Sequence, residues 1–270
     1  MNSPTERPIG AFDSGVGGLT VVQAMRHLLP AEDILYLGDT ARVPYGNKSP
    51  ETIIRYSREI MAFLRGHEVK AVVVACNTAS AHALAILQKE SDIPIIGVIS
   101  PGVQAALSAT RSGRIGIVGT QGTIQSEAYQ NLLRQYHPDV LITAIAAPLL
   151  VSLVEEDWLS HPATHLILEE YLAPMKAARV DTVVLACTHY PLLKSLAQGI
   201  LGPDVVLVDS AQNAAAALAR TLLKGNLNRP ARPEAGQITI CATDLPAQFS
   251  RLAERFLGEK IGEIQRVSVG

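Results

Sequence analysis

Two of the three cysteines lie in near-copies of one context. Val72-Val73-Val74-Ala75-Cys76-Asn77-Thr78 echoes Val183-Val184-Leu185-Ala186-Cys187-Thr188-His189. A second echo precedes each. Ile9-Gly10-Ala-Phe-Asp13-Ser14-Gly15-Val-Gly17 resembles Ile115-Gly116-Ile-Val-Gly119-Thr120-Gln-Gly122, with 66 positions from Gly10 to Cys76 and 71 from Gly116 to Cys187. Two echoes in the same order at similar offsets point to two copies of one structural unit, each with its thiol in the same place.

The chemistry follows from that duplication. Each cysteine ends an apolar run and precedes a helix-like segment, at the strand edge where open α/β sheets bind ligands. A helix N-terminus lowers a thiol pKa from its reference of about 8.5 and offers N–H groups to an anion. If the two copies face each other, their cysteines flank a common cleft. Inverting a stereocentre next to a carboxylate needs a proton removed from one face and returned to the other. Two groups of one type, one ionised and one protonated, do this and reset by running backward.

The other chemistry-bearing residues read more plainly. Cys241, inside Ile238-Thr239-Ile240-Cys241, reads as a small buried hydrophobe. Cys187-Thr188-His189 supplies two metal ligands at most, with no second pair to complete a site. Asp13-Ser14-Gly15-Val16-Gly17-Gly18 is a glycine-rich turn without the Gly-x-Gly-x-x-Gly spacing of a dinucleotide site. Gly38-Asp39 through Pro44-Tyr45-Gly46 fits an ordinary loop. Both segments fall at the sheet edge of Cys76, where backbone N–H groups can hold a second carboxylate. Of seven histidines, only His189 has a context that invites a role, and the acidic run Glu155-Glu156-Asp157 reads as a solvated patch.

The elements that must position these residues are short Val- and Ile-rich runs alternating with helical patterns. Strands are expected at Pro8–Phe12, Ile34–Leu37, Ala71–Ala75, Ile95–Val98, Ile115–Val118, Leu141–Ala144, Thr182–Ala186, Val205–Val208 and Ile238–Cys241. Continuous apolar strands of this kind belong to sheets covered on both faces. Ser49-Pro50-Glu51 is a helix start, with Ser49 as cap and the stripe Ile53, Ile54, Ile60, Met61, Leu64 behind it. Strand–helix alternation predicts an α/β fold with mainly parallel sheets.

The bulk numbers set bounds. The chain has 270 residues, 48% hydrophobic and 18% charged, which suits two buried cores and excludes a disordered chain. With 23 basic and 25 acidic residues and no basic run, it carries no footprint for nucleic acid. Three widely spaced cysteines fit a reducing compartment, the N-terminus shows no secretory core, and no apolar stretch reaches a membrane span. A cytoplasmic protein without membrane or nucleic-acid partners is the expectation.

Four segments carry a resemblance. Ile9 to Thr20 with its Asp13-Ser14-Gly-Val-Gly-Gly core, Tyr36-Leu-Gly-Asp39 with Pro44-Tyr45-Gly46, Ala75-Cys76-Asn77-Thr78-Ala79, and Leu185-Ala-Cys187-Thr188-His189-Tyr-Pro resemble glutamate racemases of the aspartate/glutamate racemase superfamily. The likeness runs in order from about residue 7 into the C-terminal region. It implies two pseudo-symmetric, doubly wound α/β domains with the active site in the cleft between them. The first domain takes residues 1–98 and 211–270 and the second 99–210, the chain returning near Ser210 before an Ala-rich helix at Gln212–Leu223. It implies no pyridoxal phosphate and no metal.

By matched motifs, Cys76 takes the α-proton of D-glutamate and Cys187 that of L-glutamate. Asp13 assists the first thiol and His189 the second. Ser14, Tyr45, Gly46, Asn77, Thr78 and Thr188 hold the substrate together with Asp13 and His189, while Thr120, Thr123 and Glu155 fall in family segments near the site. Supply of D-glutamate for peptidoglycan, a homodimer and activation by a peptidoglycan precursor are further implications. The alternatives are a related racemase acting on aspartate, a hydantoin or a malonate derivative, and, in a different class, a thiol-based redox or metal-binding module. Rates on glutamate against aspartate separate the first, and a disulfide or a stoichiometric metal would mark the second.

Overall fold

Strands form where aliphatic, β-branched runs are short and bounded by polar turns. The computed structural model describes residues 3–247 and 249–270 and contains ten strands among them. In chain order these are β1 (Ile9–Asp13), β2 (Ile34–Gly38), β3 (Ala71–Val74), β4 (Ile95–Gly97), β5 (Arg114–Gly119), β6 (Leu141–Ala146), β7 (Thr182–Ala186), β8 (Val206–Asp209), β9 (Ile238–Ala242) and β10 (Gln265–Arg266). They build two sheets, ordered β10-β9-β2-β1-β3-β4 and β6-β5-β7-β8. Every pairing is parallel. The fold is α/β with two parallel sheets. β10 was not anticipated, because two exposed polar residues make no apolar run.

Each sheet belongs to its own compact unit. One comprises the chain up to Val98 together with Ala211–Gly270, the other Ile99–Ser210. The order β2-β1-β3-β4 of the first repeats as β6-β5-β7-β8 in the second, so the echo seen in the residues is also an echo of topology. The first sheet is longer because β9 and β10, from the returning chain, add beside β2. That return enters through a helix at Ser210–Lys224, slightly longer than the alanine-rich run suggested.

Strands β1, β2, β3 and β7 are buried along their whole length, as continuous apolar runs require when helices cover both faces. The helix Pro50–Gly66 begins as read: the Ser49 hydroxyl accepts from the Thr52 N–H at 3.3 Å, and Ile53, Ile60, Met61 and Leu64 are buried in the core. No helix among the described residues is long and apolar enough to cross a membrane.

One polar cluster fastens the returning chain to this core. Lys70, just before β3, pairs with Glu32 at 2.5 Å, both side chains almost wholly buried. The Lys70 ammonium also donates to the Thr5 carbonyl at 2.7 Å, and the Arg229 N–H donates to Glu32 Oε1 at 2.7 Å. Arg229 and Arg232 both pair with Asp33. Burial pulls the Lys70 ammonium below its usual pKa while Glu32 opposes that pull. Removing one member strands the other in low dielectric. Lys70→Met should therefore cost about 3–5 kcal/mol in urea unfolding, with partial recovery when Glu32→Gln is added. A loss below about 1 kcal/mol would show that the pair is not held in the interior.

Candidate functional site

In the first unit, the ends of three neighbouring strands present the chemistry. β1 ends at Asp13, and the chain turns through Ser14-Gly15-Val16-Gly17-Gly18 into the helix Leu19–Leu28. Asp13 is fully buried. Its Oδ2 accepts from the backbone N–H groups of Gly15 at 3.3 Å and Gly18 at 3.0 Å. Among the described residues nothing hydrogen-bonds its Oδ1. The turn needs glycine at position 18 for close approach: a Cβ there would lie 2.5 Å from the Asp13 Cβ and 3.0 Å from the Ala75 Cβ.

Cys76 follows β3 and caps the helix Asn77–His82, its sulfur accepting from the Ala79 N–H at 3.5 Å. The thiol also reaches the Ser14 hydroxyl at 3.9 Å. Asn77 and Thr78, on the first turn of that helix, are buried beside it. Tyr36 on β2 donates to the Gly15 carbonyl at 2.6 Å, which fixes the turn from below. Burial, with the charges of Asp13 and Cys76 adding to it, pushes the Tyr36 phenol well above its ordinary pKa.

Beyond β2 the chain runs through Asp39 and Arg42 to the short 3₁₀ turn Tyr45–Asn47. Tyr45 is buried and Gly46 half-buried. The Tyr45 hydroxyl donates to Asp39 Oδ2, and Arg42 Nε donates to the same oxygen at 2.7 Å. Burial and the Asp39 carboxylate raise the Tyr45 pKa far above 10, with Cys76 contributing in the same direction. Asp39, Arg42 and Thr243 had no assigned role from the sequence. Asp39 was within a quoted motif; Thr243 carries no local signal at all.

The second unit repeats the frame with different partners. β5 ends at Gly119, and Thr120 caps the helix Gln121–Gln125 by accepting from the Thr123 N–H at 3.2 Å. Cys187 follows β7, but what comes next is a turn and a 3₁₀ segment at Tyr190–Leu193, not an α-helix N-terminus. The expectation of a helix end at this thiol is therefore corrected. An imidazole takes that place. Cys187 Sγ lies 3.8 Å from His189 Nδ1, and His189 Nε2 lies 2.9 Å from Glu155 Oε1.

Burial alone would lower the His189 pKa, but the hydrogen bonds and charges of Cys187 and Glu155 outweigh it and raise it to about 10. Glu155, at the end of the helix Leu149–Glu155, is thus not merely part of a solvated acidic patch. Thr188 and Thr123 are buried close in sequence to the thiol and the Thr120 cap respectively. Cys241 is buried in β9, where desolvation raises its pKa.

Each unit thus sets a thiol at the end of the strand beside its leading strand, with a polar partner at hand, an arrangement with the groups that proton transfer requires. The family model for Asp/Glu/hydantoin racemases matches residues 17–218, and the chain belongs to that family. Glutamate racemases are among the relatives it resembles. The Geobacter metallireducens enzyme is 50% identical, with 97% of each chain covered. The crystal structure of the Francisella tularensis glutamate racemase in complex with D-glutamate superposes with a TM-score of 0.92 at 36% identity, covering 98% of both chains. The Escherichia coli glutamate racemase, solved with L-glutamate and the activator UDP-MurNAc-Ala, gives 0.80 at 28% identity, covering 97% of this chain and 99% of that one. The activity is accordingly that of a glutamate racemase.

The paired His189 yields a pH signature. A raised pKa means its stabilising pairing is complete below about 6.5 and is lost as pH rises through about 10. NMR of the His189 ring should show no titration between pH 6 and 8 and a midpoint near 10 in wild type. In Glu155→Gln the midpoint should fall by at least one unit. A wild-type midpoint near 6.5 would contradict the paired geometry.

Proposed function

We propose that this chain interconverts L- and D-glutamate by a two-thiol proton transfer that needs no cofactor. Cys76 as thiolate removes the α-proton of D-glutamate, and Cys187 as thiol returns a proton to the opposite face of the same carbon. The product is L-glutamate, with the thiol now at Cys76 and the thiolate at Cys187. The reverse reaction restores the start, so no external acid, base or redox partner enters the balance. The observation that carries this reading is the duplicated thiol, one per unit, at the same position of the same strand order.

The roles of the neighbours follow from their bonds. The Asp13 carboxylate, held through one oxygen, uses the other to assist the first proton transfer. His189, kept protonated by Glu155, stabilises the thiolate left at Cys187 until the reverse step returns its proton. Tyr45 spends its hydroxyl on Asp39. What the Tyr45–Asn47 turn offers a substrate carboxylate is the first N–H groups of a 3₁₀ segment, which have no partner within the turn. Ser14, Asn77, Thr78 and Thr188 supply further polar contacts, with Thr120 and Thr123 behind them.

In this reading the product D-glutamate feeds peptidoglycan synthesis, and the protein works as a homodimer. The activator named with the Escherichia coli structure supports a regulatory precursor here as well. The direct test incubates the purified protein with each glutamate enantiomer in deuterated water, without added cofactor. Wild type should racemise both and incorporate one α-deuterium. Cys76→Ala and Cys187→Ala should each lose racemisation by at least a thousandfold, on the scale of losing an essential acid or base. Racemisation persisting in either variant would exclude the two-thiol scheme.

A further inference from the structure

Asp39 is a fully buried carboxylate in the first unit, and its partners come from two distant parts of the chain. Tyr45 and Arg42 follow it closely in sequence. Thr243 is brought to it by β9, the strand that the returning chain lays beside β2. The Thr243 hydroxyl donates to Asp39 Oδ1 at 3.0 Å and accepts from the Ala41 N–H at 2.9 Å. Its own backbone N–H donates to the Gly38 carbonyl at 3.1 Å. Next to it, the Asp244 N–H donates to the Thr40 hydroxyl at 2.7 Å, and that hydroxyl donates to the Asp244 carbonyl at 2.5 Å. The segment from Gly38 to Ala41 is therefore laced residue by residue to Thr243 and Asp244.

We infer that Thr243 is a positioning residue for substrate binding, acting through Asp39 to fix the Tyr45–Gly46 turn. The inference rests on the proposed role of that turn in holding a substrate carboxylate. The physical case is one of division of labour at the carboxylate. Oδ2 takes Tyr45 and Arg42, and Oδ1 takes Thr243. A carboxylate held on one oxygen only can rotate about its Cβ–Cγ bond; held on both, it presents Oδ2 to Tyr45 in one direction. One hydroxyl sets that rotation, and because it also accepts from Ala41 it is itself fixed. Arg42 is independently anchored by Glu59 and by stacking 4.0 Å over the Tyr56 ring, so it cannot follow a rotating Asp39.

Thr243 touches neither thiol, so its loss should be felt in binding before chemistry. An open recess of about 390 Å³ lined by Asp39, Arg42, Thr243 and Arg266 lies beside the network. A smaller residue at 243 could admit a water in place of the hydroxyl, and Thr243→Val, of the same shape, is the sharper substitution.

Steady-state racemisation of both glutamate enantiomers is compared for wild type, Thr243→Val, Thr243→Ser, Tyr45→Phe and the double variant Tyr45→Phe/Thr243→Val. Thr243→Val should raise KM about tenfold, the scale of one hydrogen bond to a charged group, with kcat within about twofold of wild type. Thr243→Ser should recover most of the affinity. The double variant should be no worse than Tyr45→Phe alone, since both act through one contact. If Thr243→Val does not fold, Thr243→Cys replaces it: its thiol is a weak donor and acceptor, and a KM rise above threefold is expected.

The arms separate the two ideas. No racemisation by wild type removes the functional reading itself. With wild type active and Tyr45→Phe raising KM, an unchanged KM at Thr243→Val (or Thr243→Cys) overturns the positioning role alone. So does a fall in kcat at constant KM, which is how a loss of folded enzyme would register. An unchanged KM in Tyr45→Phe removes the turn from binding and the inference with it.

Discussion

The register between two central parallel strands is the constraint on which the rest depends. In the first unit Phe12 stands opposite Val74, and in the second Gly119 stands opposite Ala186. The residues that leave the sheet side by side are therefore Ser14 with Cys76 and Thr120 with Cys187. Each thiol emerges next to a hydroxyl, at the carboxyl edge where the following loops gather. A slip of one residue would turn every side chain of the strand to the other face and move the thiol off that edge. Full burial on both faces makes such a slip expensive, because the apolar runs have no polar face to offer solvent.

Given a common frame, the two centres differ in where their second group comes from. The first takes it from the end of the leading strand, Asp13. The second has Gly119 at that position, where a Cβ would lie 3.2 Å from the Ala186 carbonyl oxygen and 3.3 Å from the Ile124 side chain. Any side chain there would press on those neighbours by a few tenths of an ångström. The partner is supplied instead from beyond the thiol, by His189, with Glu155 behind it from a separate helix. Duplication explains the thiols; packing around the leading strand explains why the partners are unlike.

How far this was legible in the residues depends on the range of each interaction. The nine strands expected from apolar runs are present, and β1, β2, β3 and β7, buried on both faces, leave an unbroken local signature. The Ser49 cap was legible because its hydrogen bond spans only three residues. β10 was not, since two exposed polar residues make no apolar run. The acidic run at Glu155 looked solvated because composition cannot say which of three neighbouring carboxylates turns inward toward an imidazole. The turn after Cys187 was misread as a helix start, since Thr-His-Tyr-Pro allows either and Pro191 only fixes where a helical segment begins. Thr243 was invisible: its meaning comes from Asp39, two hundred positions earlier, and no pattern within the sequence connects them.

The contrast between Asp13 and His189 also shows how buried polar groups are accommodated in each centre. A charge removed from water must find partners, yet a group that exchanges protons must keep one position open. Asp13 meets both demands by splitting its oxygens, one held by two backbone N–H groups of a turn that only glycine at position 18 permits. His189 meets them by using both ring nitrogens, one toward the thiol and one toward a carboxylate that is itself partly exposed. That exposure matters. A fully buried Glu155 would need neutralising partners of its own, whereas a carboxylate reaching solvent can stabilise the imidazolium at little desolvation cost. The second centre thus draws its charge balance from the protein surface, and the first draws it from backbone dipoles already fixed by the fold.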